Sequence, residues 1–355
     1  MEENIQTKKK VKLIVIIPIA VVLIIIIIAM VYLLIPKETQ IDTATETPAA
    51  TETNANYAGK KILHVDSYHS GYEWSDGIAK GIEDILKDTG ITLERIEMDT
   101  KRNSKEEFKK NAAIIVKQKI ESMSPNVVIV SDDNAFKYVV QEYYKDADLP
   151  VVFCGLNWDA NVYGAPYTNT AGMVEVALTN QIIEYLKQYS NEEKIGYLSA
   201  NTTTEKKNLE NYENLLDLSF EKTYFVNTMQ EWKNAFTALQ TEVDLVIFEN
   251  SAGISDWDET EAESFAVKNT KIPIGTTNTW TMQSSLLGLT KVPEEQGVWS
   301  ANAALEILNG KTPLEIGTTK NKQGKLILNL EIAEKLEVVF TPSMLKNAEI
   351  IGVEN

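Results

Sequence analysis

Apolar residues follow two different patterns along the chain, one before and one after residue 36. Residues 11–35 form an almost unbroken apolar run, with lysines at positions 8, 9, 10 and 12 around its start. About 25 residues at 1.5 Å each make a helix of roughly 37 Å, which can cross a hydrocarbon core of ~30 Å. Flanking lysines favour the cytoplasmic side. The pattern predicts a cytoplasmic tail over 1–10, a single-pass membrane anchor over 11–36 and an extracytoplasmic remainder.

A cleaved secretory signal is the alternative interpretation of this N-terminal segment. Signal peptides usually have a shorter apolar region of about 7–15 residues, and no cysteine follows the run to accept a lipid. Residues 37–57 are rich in Thr, Ala and Glu and have no apolar periodicity. That composition predicts a disordered linker in front of the folded part.

From Lys60 onward, short apolar runs alternate with segments of helical periodicity. The first series places strands at 62–65, 93–98, 127–130 and 151–153, with helices near 75–88, 105–123 and 134–145. The second series places strands at 195–198, 223–226, 245–248 and 272–274, with helices near 178–189, 204–218, 230–241 and 257–268. Alternation at this spacing is typical of parallel sheets with helices on both faces. The sequence therefore predicts an α/β protein with two lobes, each a parallel sheet flanked by helices.

The limits of the two lobes follow from where the chain should cross between them. The first crossing is expected near residues 172–175, which assigns 58–174 to lobe 1 and 175–290 to lobe 2. After residue 285 the chain should recross twice, which adds roughly 291–312 to lobe 1 and part of 313–355 to lobe 2. Glu175 stands at the expected crossing and is a candidate hinge residue.

Candidate binding residues are those that follow the predicted strands, because ligands of open parallel sheets bind beyond the carboxyl ends of the strands. In this chain such positions carry hydroxyl, amide, carboxylate and aromatic side chains. Aromatic rings would form walls, and the hydroxyl and amide groups would make directional hydrogen bonds. The candidate ligand-binding residues are Tyr68, Trp74, Ser131, Asp132, Asn134, Asn157, Trp158, Asn201, Glu249, Asn250, Thr276 and Trp280.

These residue types also have a purely structural interpretation. The tryptophans can fill gaps between elements, although at least one of them, or Tyr68 or Tyr72, is expected to stack on a ligand. Residues 132–134 and 201–204 can cap the helices that follow them, because Asp, Asn and Thr side chains accept hydrogen bonds from the first helical amides. Residues 249–251 and 276–278 have the same ambiguity.

Composition excludes several classes of function. A formal net charge of −17 without a basic stripe makes nucleic acid a poor partner. Two histidines and one cysteine, Cys154 in a predicted strand, provide no zinc set. The glycine-rich phosphate and dinucleotide motifs and the G-x-S-x-G elbow are absent. We therefore expect a protein that is not an enzyme and has no cofactor.

Several segments carry a resemblance to a known family. They are LPVVFCGLNWDANVYG, YTNTAGMVEV, EVDLVIFENS, KIPIGTTN, EEQGVWSANAALEILNGKTP and, most specifically, LILNLEIAEKLEVVFTPSMLKNAEII. Over residues 60–353 the chain resembles the ABC-transporter substrate-binding proteins of the tryptophan/tyrosine type, which have a type I periplasmic-binding-protein fold. The last segment resembles the closing strand, helix, Pro-Ser turn and final strand of that family.

Two features qualify what this resemblance implies about the ligand. The segments YHSGYEWSDGIAKGIED and GLNWDANVYG are similar to a subgroup often fused to sensor kinases or cyclases, and no such signalling domain is expected within these 355 residues. Asn157-Trp158 stands where many members of the family have Asp-Pro. The aromatic amino-acid preference of the family is therefore not transferred to this chain.

The resemblance implies a two-lobed clamp that closes on a small molecule and delivers it to an ABC permease. The hypothesis is a membrane-anchored, extracytoplasmic solute-binding protein whose ligand is a small polar molecule, such as an amino acid or another compound with a planar group. The alternative is an extracytoplasmic sensing domain that binds a similar ligand and signals through a partner protein. A third hypothesis, a structural adhesion module, does not account for the clustered polar candidates.

Overall fold

The first lobe is built on a six-stranded sheet in which all neighbouring strands are parallel. The computed structural model describes residues 57–190 and 194–353 of the chain. The six strands are β1 (Lys61–Asp66), β2 (Thr92–Glu97), β3 (Val127–Ser131), β4 (Val151–Asn157), β5 (Thr170–Glu175) and β11 (Thr318–Lys320). Their order across the sheet is β11-β5-β4-β3-β1-β2.

Helices cover both faces of this sheet, which explains why its central strands β1, β3 and β4 are nearly continuous apolar runs. One face packs against α1 (Glu73–Leu86) and α8 (Pro293–Leu308). The other packs against α2 (Glu106–Met123) and α3 (Asp132–Ala135), which continues as a π-helix over Phe136–Tyr144. The short helix α9 (Pro313–Ile316) contacts β5.

The second lobe is built on a seven-stranded sheet. Its strands are β6 (Ile195–Ala200), β7 (Lys222–Val226), β8 (Leu245–Phe248), β9 (Ile274–Thr276), β10 (Leu287–Lys291), β12 (Gly324–Asn329) and β13 (Glu349–Ile351), in the order β13-β12-β10-β9-β8-β6-β7. The prediction of a purely parallel second sheet is wrong at one side, because β12 pairs antiparallel with β10. β10 runs toward the crossing between the lobes, whereas β12 starts from it.

The helices of the second lobe are α4 (Thr179–Lys187), α5 (Thr203–Leu215), α6 (Met229–Glu242), α7 (Glu259–Asn269), α10 (Leu330–Lys335) and α11 (Pro342–Asn347). All of these helices except α4 begin at a side chain that caps them. Thr202, Thr228 and Asp258 each accept a hydrogen bond from the third amide of α5, α6 and α7, respectively. These caps satisfy amides that have no partner inside the helix and so fix where each helix starts.

The chain passes between the two sheets at three points. It leaves the first sheet after Glu175, returns to the first lobe after Lys291, and crosses back between Lys320 and Gly324. Two of these crossings come directly from the carboxyl ends of β5 and β10. The same chain segments that connect the lobes therefore lie next to the ends of the strands.

Helices α1 and α8 of the first lobe approach each other closely through glycines. A Cβ atom built on Gly297 would lie 2.0 Å from the carbonyl oxygen of Ile78, and one built on Gly81 would lie 2.5 Å from the carbonyl oxygen of Glu294. Both distances are far below van der Waals contact with backbone atoms. The contact fixes the position of the start of α1, which carries Trp74, and of the start of α8, which follows Lys291.

Most predicted elements are confirmed to within a few residues of their ends. Strand β12, helices α10 and α11 and strand β13 confirm the C-terminal elements implied by the resemblance. Strands β5, β10 and β11 were not predicted as strands. The predicted tail, anchor and linker lie outside the described residues, apart from Tyr57 at the end of the linker, which is buried. Within residues 57–190 and 194–353, no helix has the length and apolar character needed to span a membrane.

Candidate functional site

A cleft of about 380 Å³ lies at the carboxyl ends of strands from both sheets. The first lobe contributes side chains that follow or end β1 to β5, and the second lobe contributes side chains that follow β9 or end β10. The cleft is lined by Tyr68, Tyr72, Trp74, Lys101, Asp132, Asn157, Glu175, Thr277, Asn278, Thr279, Trp280, Thr290 and Lys291. This is the position at which open parallel sheets bind ligands.

Aromatic rings form part of the first-lobe wall. Tyr68 and Tyr72 pack edge to face, with ring centroids 5.4 Å apart. The Nζ of Lys101 lies 5.1 Å from the Tyr68 centroid and 4.7 Å from the Tyr72 centroid. Burial, followed by the nearby Asp132 carboxyl, raises the pKa of Tyr68, so its hydroxyl stays protonated. The three side chains offer two ring surfaces and a cation to the cleft.

Asp132 is the most unusual residue of the cleft. Its side chain is only 2 % exposed, and its backbone has a φ of +67°, a conformation that residues other than glycine rarely adopt. Oδ1 accepts a hydrogen bond of 2.9 Å from the indole Nε1 of Trp74. Oδ2 is buried and accepts no hydrogen bond from any described residue. Burial, and next the carboxylate of Glu175, raise the pKa of Asp132 well above its usual range.

Gly155 makes room for this carboxyl group. A bulge interrupts the pairing of β4 with β5 between Cys154 and Leu156, and Gly155 within it has a φ of +69°. A Cβ atom on Gly155 would lie 2.8 Å from Oδ1 of Asp132. The backbone nitrogen of Gly155 donates to Oε1 of Gln296, at 3.0 Å. Any larger residue at position 155 would displace Asp132.

The neighbouring Asp133 is engaged within the first lobe and does not line the cleft. The hydroxyl of Tyr163 donates to its Oδ1 at 2.7 Å, and the side-chain amide of Asn157 donates to its Oδ2. Asn157 lines the cleft while its Nδ2 is held by Asp133. The two adjacent carboxylates therefore have different environments and only one of them faces the cleft.

An ion pair joins two of the crossings at the edge of the cleft. The Nζ of Lys291, at the end of β10, binds Oε1 of Glu175, at the end of β5. Lys291 also lies 5.8 Å from the centroid of the Trp74 ring. Glu175 is buried, at 9 % exposed, whereas the Lys291 side chain is 34 % exposed, so the pair is partly open to water. It connects the ends of two strands that belong to different sheets.

The second-lobe wall is a hydroxyl- and amide-rich loop that Glu249 holds in place. The Thr277 hydroxyl donates to Oε1 of Glu249 at 2.7 Å, and the Asn278 side-chain amide donates to the backbone oxygen of Glu249. The indole of Trp280 is 49 % exposed, and its Nε1 donates to Oδ1 of Asn250 at 3.0 Å. Trp280 therefore presents a large exposed ring at a fixed edge of the cleft.

The structure brings five of the twelve predicted binding residues into the cleft lining. They are Tyr68, Trp74, Asp132, Asn157 and Trp280. The set includes residues from both lobes, and it includes a carboxylate, an amide and three aromatic rings. Their role in binding a ligand stays a prediction.

The other seven predicted residues lie beside the cleft or away from its lining. Four have polar partners of their own: Ser131 with Nε2 of His64 at 3.1 Å, Asn134 with Thr100 at 2.9 Å, Asn201 with Asn227 at 3.0 Å and Asn250 with Glu205 at 2.8 Å. Glu249 and Thr276 support the second-lobe loop, the latter through a 2.6 Å hydrogen bond to Thr281. The Trp158 ring packs on Tyr212 of the second lobe, with centroids 5.3 Å apart.

The lining also contains residues that the sequence did not single out. Lys101, Thr279, Thr290 and Lys291 are of this kind. Lys101 comes shortly after β2, and Thr290 and Lys291 end β10, so the rule about strand ends would have found them with a complete list of strands. Over residues 57–190 and 194–353, no group of three or more His, Cys, Asp or Glu side chains is arranged to hold a metal ion.

Comparison with known proteins gives one family and a set of similar folds. The sequence profile of a family described as ABC transporter substrate binding protein matches residues 72–351. No curated protein sequence matches the chain. A ligand-free, open substrate-binding protein with adhesive properties from Clostridium difficile has a TM-score of 0.61 at 15% identity, over 83% of this chain and 100% of that one.

Two further solved structures are similar at lower scores. An ABC domain from Streptococcus pneumoniae in complex with L-Trp has a TM-score of 0.47 at 18% identity, over 82% of this chain and 99% of that one. A periplasmic ribose ABC transporter protein from Conexibacter woesei has a TM-score of 0.49 at 13% identity, over 80% and 95%. At 15% identity, the likeness to the Clostridium difficile protein concerns the fold alone.

Proposed function

The chain belongs to the family of ABC transporter substrate-binding proteins, and we propose that it is a membrane-anchored, extracytoplasmic member that captures one small polar ligand between its lobes. The ligand contains a planar group and is passed to an ABC importer. Proteins of this family bind solutes and are not enzymes, which agrees with the absence of known catalytic motifs from the sequence.

The observation that carries the proposal is the double origin of the cleft lining. Trp74 and Asp132 come from the first lobe, and Thr277 and Trp280 come from the second. A ligand that contacts both walls stabilises the closed arrangement of the lobes by its extra contacts there. The volume of about 380 Å³ falls within the range of small-molecule sites, about 300–1,000 Å³.

The chemistry of the two walls supports a polar ligand with a planar part. The Trp280 side chain is 49 % exposed. Exposure of so large an apolar ring to water is unfavourable. Stacking on a planar group would cover it and contributes about 0.5–1.5 kcal/mol beyond burial of area. Thr277, Asn278 and Thr290 supply hydroxyl and amide groups on the same side.

The N-terminal apolar segment supports an anchor that would keep the binding protein close to a permease. Residues 11–35 are long enough to cross a bilayer, and the following 20 residues are polar enough to act as a tether. The protein would then bind its ligand and pass it to the permease at the outer face of the membrane in which it is anchored. The proposal treats this segment as uncleaved.

A thermal-shift screen of the full chain in a mild detergent tests the capture of a ligand. The compounds are the amino acids, nucleosides, sugars and small carboxylates, each at millimolar concentration. A ligand present at 100 times its Kd raises the free energy of unfolding by about 2.7 kcal/mol, and calorimetry would confirm each hit. Failure of every compound on a folded chain would count against capture of these ligand classes.

Two variants locate the site of a confirmed ligand. Trp280→Ala should weaken binding by about 2- to 12-fold, which corresponds to loss of a stacking contact. Phe108→Ala removes another half-exposed aromatic ring, on α2 and outside the cleft lining, and should leave binding unchanged. Equal affinities of the two variants would place the ligand elsewhere. Uptake of the ligand by cells that also produce a permease then separates transport from sensing.

A further inference from the structure

Asp132 differs from the other carboxylates around it because it has neither a cationic partner nor several polar partners. Asp66 accepts hydrogen bonds from Arg95, Ser75 and the backbone of Tyr68. Asp133 accepts from Tyr163 and Asn157, and Glu175 is paired with Lys291. Asp132 has the indole of Trp74 as its one hydrogen-bond donor among the described residues. An ionised carboxylate can accept about four hydrogen bonds, so most of its capacity is unused.

The groups that surround Asp132 do not compensate a negative charge on it. Glu175 from β5, Asp66 from β1 and the adjacent Asp133 all add negative charge, and their cationic or polar partners are already engaged with them. His64 of β1 is buried and bonded to Ser131, and burial lowers its pKa to about 4, so it is neutral at pH 7. Lys101 is directed to the rings of Tyr68 and Tyr72. Burial and these charges raise the pKa of Asp132.

The local backbone is arranged to keep the carboxyl at this place in spite of its surroundings. The φ of +67° at Asp132 and the glycine at position 155, whose Cβ would collide with Oδ1, are both needed for its position. Strained backbone conformations of this kind are concentrated at functional sites. A buried carboxyl that lines a cleft, has one neutral hydrogen-bond donor and is held at a positive φ indicates a group that the protein itself does not supply.

We propose that this group is a protonated amine of the ligand. Without ligand, the Asp132 carboxyl carries a proton; on binding, that proton leaves and an N–H of the amine occupies its position. The inference rests on the proposed function and narrows its ligand class to molecules with a primary or secondary ammonium or an amidinium. In the exchange, the carboxylic acid and the ammonium ligand become a carboxylate–ammonium pair, and one proton leaves to solvent. The carboxylate and the ammonium have opposite charges, so the pair formed in the cleft is neutral.

The lining of the cleft suits such a cation in two further ways. A charged donor makes a hydrogen bond about twice as strong as a neutral one, so the ammonium can compete with the indole of Trp74 for the carboxylate. The faces of Trp74 and Trp280 attract a cation and also accept an attached planar group. The protein as a whole is strongly acidic, with a net charge of −17, which favours encounter with cations.

Matched pairs of compounds test the inference on the full chain. The pairs are benzylamine and benzyl alcohol, tyramine and tyrosol, tryptamine and tryptophol, and L-phenylalanine and 3-phenylpropionate, so the members of a pair differ at the amine. Calorimetry should show at least one amine that binds at least ~10-fold tighter than its partner, in line with charge-assisted hydrogen bonding. Equal binding within every pair, or a ligand found by the screen that has no cationic N–H, overturns the inference and leaves the proposed function intact.

The proton exchange has its own measurement, which needs no variant. The heat of binding of the amine, measured at pH 6 in buffers of different ionisation enthalpy, should report release of up to one proton. Affinity should rise by up to about tenfold per pH unit below the pKa of the empty-cleft Asp132 and level off above it. An amine that binds without releasing a proton and without pH dependence would refute the exchange.

Asp132→Asn identifies the residue responsible, and Asp88→Asn is its matched control. Asp88 is exposed, has a φ of +61° and precedes β2, at the end of the sheet opposite the cleft. Asn tolerates positive φ, so neither change should disturb the backbone. We expect Asp132→Asn to abolish both the preference for the amine and the proton release, and Asp88→Asn to retain both. Retention of both by Asp132→Asn would overturn the assignment.

Discussion

The contact between α1 and α8 makes a strong prediction about one glycine. Gly297 lies in the middle of α8, where alanine would normally stabilise a helix by about 1 kcal/mol. Its added methyl group would, however, lie 2.0 Å from the carbonyl oxygen of Ile78 and 3.0 Å from the nitrogen of Ile82. Neither is a flexible side-chain atom that could move away. The helices would have to separate by more than 1 Å to reach the ordinary contact distance of 3.4–4 Å.

The magnitude follows from these two opposing effects. Overpacking of a tight interior contact typically costs about 1–3 kcal/mol, and the backbone contact here places Gly297→Ala at the upper end. After the gain in helix propensity, we expect a net loss of about 2 kcal/mol in the free energy of unfolding. For a folded part of about 300 residues, the loss corresponds to a fall in Tm of about 3 °C.

Thermal and urea unfolding of the full chain would measure the loss. Glu306→Ala is a suitable control, because Glu306 is exposed on the same helix, and its change should stay within ~0.5 kcal/mol. Separation of the helices should also displace Trp74 and Lys291, so affinity for a cleft ligand should fall with stability. A Gly297→Ala protein as stable as the parent would refute the argument that α1 and α8 meet at backbone distance.

Three further predictions concern charge and packing near the cleft. Because the pKa of Asp132 is raised in the folded state, Asp132 lowers the free energy of unfolding progressively as pH rises above about 3.9. Asp132→Asn should therefore raise the Tm of the ligand-free protein at pH 7. This gain in Tm should vanish toward pH 4. Burial lowers the pKa of His64 to about 4, so the folded state should lose stability as pH falls from about 6.5 to 4, and thermal unfolding of His64→Gln should show a smaller loss. Trp158→Ala should lower the free energy of unfolding by about 2 kcal/mol through loss of its contact with Tyr212, with ligand affinity unchanged by calorimetry.

The fold was largely predictable because the central strands of both sheets are buried on two faces. Runs such as Val127–Ser131 are fully buried, and helices of regular periodicity separate them. The missed strands are of a different kind. Thr318–Lys320 has three residues and an exposed sequence, and Leu287–Lys291 contains a glycine. Their pairing depends on where the chain returns from the other lobe, which local sequence does not record.

The place of the cleft was predictable for a general reason, whereas the direction of individual side chains was not. Residues that follow parallel strands gather at one edge of a sheet, and this alone brought Trp74, Asp132 and Asn157 together. Whether a given side chain enters the cleft depends on neighbours distant in sequence. Glu205, for example, holds the amide of Asn250 at 2.8 Å.

At Asp132 and Trp158, the backbone conformation determines where the side chain lies. Each is at or next to the end of a strand, and each has a positive φ, +67° and +65°. Asp adopts positive φ more readily than most residues, whereas Trp rarely does, and the sequence does not mark which individual Asp or Trp takes this conformation. The unusual φ accompanies a cleft-facing carboxyl at Asp132, whereas the ring of Trp158 packs on the second lobe at Tyr212. Trp158, a candidate ligand-binding residue, thus contacts the second lobe in this structure, and its role in binding a ligand stays a prediction.

Two of the crossings between the lobes lie closer to the cleft than the sequence suggested. Glu175 and Lys291 end two strands of different sheets and pair with each other at the edge of the cleft. Any change in the relative position of the lobes must involve these two segments and the third crossing between Lys320 and Gly324. Glu175 also contributes to the raised pKa of Asp132. We therefore expect the proposed exchange of a proton for a cation at Asp132 to change the electrostatic environment of Glu175, and through Glu175 that of the crossing between the lobes.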